Sequence, residues 1–186
     1  MLHVVGIVVG LAAITYLAPC VFGSISIKNK GLIQSAVFAI YLIVYVYFAF
    51  FSRAMGLSRG IELKPFVTYA YLLGEANDTN RYGTVFEIIG LNTTSPIVGI
   101  LLNILLYYPL GYLLPILFSK LKPKHIILIG CLCSIATEAT QYLLKMGWCE
   151  TDDVIHNTLG TAIGVWIWHL QSKRLNTPKS NNLPKD

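Results

Sequence analysis

Charge is the scarcest feature of this sequence. Only 12% of its 186 residues are Asp, Glu, Lys or Arg, about half the share usual in a soluble domain, while 55% are hydrophobic. Such a chain has too little polar surface to clothe a water-soluble fold. Bases outnumber acids, 14 to 9, but they are scattered among short connections and a polar tail without forming a stripe, so nucleic acid is not an expected partner. The 4 cysteines are Cys20, Cys131, Cys133 and Cys149, and they lack the spacing of metal ligands. They read as small packing residues, with Cys149 alone near a helix end where a thiol can react. No complete triad stands out, and no cofactor is implied. No basic stretch precedes the first apolar run, which argues against a cleaved secretory signal.

What is present is apolar length. Stretches at about 3–22, 31–51, 97–118 and 124–144 each reach the roughly 20 residues needed to cross a hydrocarbon core of about 30 Å. A fifth, at about 153–170, begins on Asp153 and continues as VIHNTLGTAIGVWIWHL, apolar enough to span if its polar side chains face protein. The expected fold is all-α, a polytopic transmembrane bundle of about five helices. One domain covers 1–176, and 177–186 is a polar tail expected to be disordered. The segment after the second helix is too long for a plain connection and is expected to be structured on the outer side. Within it VTYAYLLG is too short to span and suits a surface or re-entrant helix. With the N-terminus outside and the C-terminus in the cytoplasm, Lys120, Lys122, Lys124, Lys173 and Arg174 fall inside and nearly all the acids outside, which obeys the positive-inside rule.

Helical rise then assigns depths. Glu138 lies roughly 10 Å beneath the outer surface, and Asn103, entering from outside, reaches about the same level. Asn157 follows Asp153 by one turn on the same face of its helix, and Tyr45 on the second helix ends near this level as well. A carboxylate so placed costs on the order of 2.5–3.5 kcal/mol to insert, so Glu138 should face the bundle beside Gln141. Two readings follow: a polar clamp of Glu138, Gln141, Asn103 and Asn157 that fixes packing, or a hydrophilic pocket open to the outer face. The run from Glu150 through Asp152, Asp153 and His156 offers a helix cap from Thr151 or Asp152. It is weak as a cation site, because consecutive acids on a helix do not converge unaided; no metal is expected. Pro109 removes one backbone hydrogen bond and predicts a bend, while Gly160 and Gly164 let the fifth helix approach a neighbour closely.

Four segments in order, RGIELKPF (59–66), NILLYYPLGYLL (103–114), SIATEATQ (134–141) and DDVIHNTLGTAIG (152–164), resemble the VanZ-like family of bacterial membrane proteins, whose founding member is associated with teicoplanin resistance. The resemblance covers about 59–164. Glu62 stands where the family often has Asn, and Gly147 and Trp148 occupy the neighbourhood of a usual Arg. The resemblance implies a multi-pass protein of the bacterial cell membrane that affects glycopeptide susceptibility through an outer-face polar pocket of Arg59, Glu62, Asn103, Glu138, Gln141, Asp152, Asp153 and Asn157. Its expected partner is membrane lipid, with an envelope lipid or glycopeptide at the polar face and room for an oligomer. Two other classes stay open: an enzyme acting on an envelope lipid or glycolipid, with Glu138 or an Asp of the pair as acid or base, and a small lipid transporter or flippase.

Overall fold

The computed structural model describes Gly10 and residues 27–51, 60–73 and 96–176, without the side chains of 27–29, 71, 175 and 176. The expected first span at 3–22 (Gly10, in a helix, apart) and the expected tail at 177–186 lie outside the described residues. The elements in chain order are α1 (Ile27–Val46), continued by a π-helical turn (Tyr47–Phe51), β1 (Ile61–Glu62), α2 (Val67–Leu72), α3 (Pro96–Leu117), α4 (Pro123–Leu143), β2 (Cys149–Glu150) and α5 (Thr151–Asn176). The class is all-α. Among the described residues three helical stretches, Lys30–Phe51, Pro96–Leu117 and Pro123–Leu143, are long and apolar enough to cross a membrane. The fifth expected span forms the helix α5, whose 26 residues carry more polar groups than the other three.

Local sequence explains the boundaries. Pro96 opens α3 and a proline begins α4, where the missing N–H is not needed and φ is already helical. At the C-terminus of α4, Lys145 takes a left-handed φ of 56°, Met146 N–H donates to the Gln141 carbonyl at 2.8 Å and Lys145 N–H to that of Tyr142 at 3.2 Å. This is a Schellman ending with lysine where glycine is usual. Helix α5 has Asp152 and Asp153 in its first turn and Lys173 and Arg174 in its last, matching the helix dipole at both ends.

Helix α3 is the axis of the molecule. Every residue from Tyr107 to Pro115 is buried, and the helix runs through Pro109 and Pro115. Tyr41 Oη donates to the Leu106 carbonyl at 3.1 Å, beside Pro109. Against α3 lies α5, and here the glycines decide the geometry. A Cβ built on Gly111 would fall 1.9 Å from the Thr161 carbonyl oxygen, one on Gly160 2.3 Å from that of Ile104, and one on Gly164 2.2 Å from that of Tyr108. The small-residue pair of the fifth span is therefore the seam against α3. The outward faces are apolar, with Leu32, Ile43, Leu101, Leu128, Leu132 and Leu143 exposed, as a lipid-facing surface requires.

Closing this seam leaves no room for one methyl group. Gly111→Ala should lower the unfolding free energy by about 2 kcal/mol, the scale of an overpacked core. Gly31→Ala, in open space, should leave it unchanged or slightly raised. Denaturant unfolding in detergent followed by circular dichroism compares the two, and equal stability of both variants would refute the seam.

Candidate functional site

One end of the bundle gathers most of the polar side chains. It is assembled from the N-terminus of α5, the C-terminal half of α4, the start of α3 and the segment 60–73. β1 and β2 pair in parallel, Ile61 opposite Cys149 and Glu62 opposite Glu150, and Cys149 N–H donates to the Gly60 carbonyl at 2.9 Å. The Trp148 ring lies so close over Gly60 that a Cβ there would be 2.5 Å from it. Two segments distant in sequence are thus joined backbone to backbone at the mouth of α5.

Asp152 secures the join. Its carboxylate is 3% exposed; Oδ2 accepts the Thr68 N–H at 2.7 Å and Oδ1 accepts the Phe66 N–H. These are the orphan donors that open α2, so Asp152 caps that short helix from across the fold and not its own helix. Thr151 does not cap α5 either, since its hydroxyl donates to the Leu63 carbonyl at 3.2 Å. Phe66 is held at φ 67°, a left-handed conformation that costs an aromatic residue roughly 1–2 kcal/mol. It persists because charge-assisted bonds over-determine it. His156, 2% exposed, completes the join through Nε2, 3.0 Å from the Tyr69 hydroxyl.

On the other flank of α5, Asn103 Nδ2 donates to Asp153 Oδ1 at 2.8 Å. One turn deeper, Asn157 Nδ2 donates to Ser134 Oγ at 2.8 Å. Glu138, 2% exposed, accepts the Glu150 N–H at Oε2 over 3.3 Å. The Cys149 thiol, on β2, lies within electrostatic reach of these acids. Burial first, and then the carboxylates of Glu138, Asp153 and Glu150, push its pKa above the usual thiol range, so it is less reactive than its place near a helix end suggested.

The expected residues thus divide. Asn103, Asp153 and Glu138 come to one level between α3, α4 and α5, with Asn157 one turn deeper. Asp152 faces the 60–73 segment, and Glu62, on β1, accepts the Lys64 N–H at 3.1 Å. Gln141 turns away: its Nε2 donates 2.8 Å to the Ala49 carbonyl in the π-helical turn. Arg59 lies outside the described residues. Among the described residues no group of three or more His, Cys, Asp or Glu is placed to hold a metal ion; in the run from Glu150 to His156, Asp152 and His156 are engaged with segment 60–73. Two buried acceptors, Gln141 Oε1 and Asn157 Oδ1, have no hydrogen-bond partner among the described residues.

Below this level a hydroxyl cluster joins three helices. Tyr45 Oη lies 2.5 Å from Thr137 Oγ1 and 2.8 Å from Tyr107 Oη, while Thr137 donates its single proton to the Cys133 carbonyl at 2.9 Å. Thr137 therefore accepts from Tyr45, and Tyr45 in turn accepts from Tyr107. Ser134, Thr137, Trp148 and Phe66 carry much of this geometry without having been chosen from the sequence. The one signal for Ser134 and Thr137 was their spacing from Glu138 along one buried face of α4.

A family model described as VanZ/LLP1 matches residues 38–172. The Enterococcus faecium protein named Protein VanZ is 29% identical over 79 residues, 41% of this chain and 48% of that protein, so the chain spans about half the length of the curated relative it matches. No solved structure matches it.

Two outcomes are expected. Asp152→Ala deletes two charge-assisted bonds, each about 1.5–3 kcal/mol, and should lower stability by about 3 kcal/mol and speed amide exchange across 60–73; unchanged exchange there would show that Asp152 does not hold the segment. For Cys149, maleimide labelling resolved by mass spectrometry should be slow at neutral pH and rise only in alkali. Because a carboxylate disfavours the thiolate, Glu138→Gln should move that rise to lower pH, and an unmoved profile would remove Glu138 from the thiol's surroundings.

Proposed function

This chain belongs to the VanZ/LLP1 family, and on that premise we propose that it is a multi-pass protein of the bacterial cell membrane that lowers glycopeptide susceptibility, teicoplanin above all, through the polar end of its bundle. The observation that supports this most is the convergence of polar groups from three helices at this end, Asn103 bonded to Asp153 and the buried Glu138 to the Glu150 N–H. Burying a carboxylate such as that of Glu138 at the margin of a membrane is costly, and packing alone is served as well by neutral pairs such as Asn157 with Ser134.

In this reading the acid-bearing end faces outward, where a glycopeptide or an envelope lipid reaches it, and the opposite end with Lys120, Lys122, Lys124, Lys173 and Arg174 faces the cytoplasm. The acids act by binding or screening donor-rich groups of such molecules at the outer face.

Expression in a glycopeptide-sensitive bacterium is expected to raise the inhibitory concentration of teicoplanin several-fold over a vector control. Glu138→Gln and Asp153→Asn should each return it towards the control while the amount of protein in the membrane, read by immunoblot, stays the same. If the unsubstituted chain has no effect, or the variants protect as well as it does, the proposal fails. A C-terminal alkaline phosphatase fusion should be inactive and a C-terminal fluorescent protein bright, the reverse pattern placing the acids in the cytoplasm.

A further inference from the structure

We propose that residues 60–73 form a re-entrant element sunk into the lipid leaflet at the acid-bearing end, with an apolar face that docks the acyl chains of membrane lipids. The proposal depends on α3 and α4 spanning the membrane and not on the susceptibility reading.

Two contacts fix the depth. Asn103 meets Asp153, so the first turn of α5 lies level with Asn103, and α3 rises about 10 Å further to its start at Pro96. Glu138 accepts the Glu150 N–H, and α4 continues about 8 Å beyond Glu138 to its end at Leu143. Helix α5 therefore begins well beneath the level where both its neighbours end. Segment 60–73 is fastened to that sunken start, through Asp152, Thr151 and His156, and shares its depth.

Non-helical backbone is tolerated at such depth only where its polar groups find protein partners. Four polar groups of this segment's backbone do so: the carbonyls of Gly60 and Leu63 and the N–H groups of Phe66 and Thr68 are bonded to the start of α5 or the strand before it. Its outward side chains suit lipid. Leu63 is 73% exposed, Phe66 59% and Leu73 74%, and α2 packs on α3, whose Ile97 and Leu101 are likewise exposed, each at 52%. Lys64, exposed on the same segment, has a stem long enough to carry its ammonium to the headgroups.

Spin labels test the depth. Leu63→Cys and Leu73→Cys, made separately in the full chain with the native cysteines replaced by serine, are labelled with a nitroxide. Each is reconstituted in vesicles of phosphatidylethanolamine and phosphatidylglycerol, with Leu101→Cys as the lipid-facing reference. Circular dichroism confirms that each is folded, and two positions guard against failure of one. Power saturation should give oxygen accessibility several-fold above that of water-soluble nickel at both positions, as at Leu101. Accessibility to nickel like that of an aqueous loop overturns the proposal. Protection from both reagents, which means that a second copy or another protein covers the face, overturns it too.

Discussion

Helices α3 and α5 touch backbone to backbone, and the position of every functional group follows from that contact. At Gly111, Gly160 and Gly164 a single added carbon would strike a carbonyl of the facing helix. Inside a membrane there is no hydrophobic force between helices, so dispersion across such a seam has to supply the association. The seam also fixes register. With α5 unable to slide along α3, Asp153 stays opposite Asn103, Asn157 reaches Ser134 on α4, and Asp152 on the adjacent face of its helix is aimed at the 60–73 segment.

The acids at this end answer to two different physical demands. Asp152 is satisfied, a carboxylate closed by two backbone N–H groups in a site with little water, and its role is to hold Phe66 and α2 in place. Asp153 and Glu138 instead tie α5 and the strand before it to α3 and α4, through the Asn103 amide and the Glu150 N–H. A buried carboxylate at Glu138 is costly so near a membrane, and for that reason the proposed ligand contact is placed at the polar end and not at the hydroxyl cluster of Tyr45, Tyr107 and Thr137.

Much of this was legible in the sequence because helical rise is constant. Counting from the ends of the apolar runs puts Asn103 and Glu138 at one depth without reference to any contact, and the spacing of Gly160 and Gly164 marks a close-packed face. Side-chain direction across the fold was not legible. Gln141, one turn from Glu138, turns to the Ala49 carbonyl in the π-helical turn that continues α1. Asp152 looks like the cap of its own helix but caps another one 84 residues away.

The sequence by itself determined that this chain is a bundle of membrane-length helices with a few polar residues at shared depths, since apolar length and helical rise are properties of a single segment. Only the tertiary structure decided that α5 starts below the ends of α3 and α4, that the segment 60–73 is bound to that start, and that the adjacent acids Asp152 and Asp153 serve opposite sides. Each of those outcomes depends on which segment lies across from which, and it was the steric fit of glycine against carbonyl between α3 and α5 that chose the pairing.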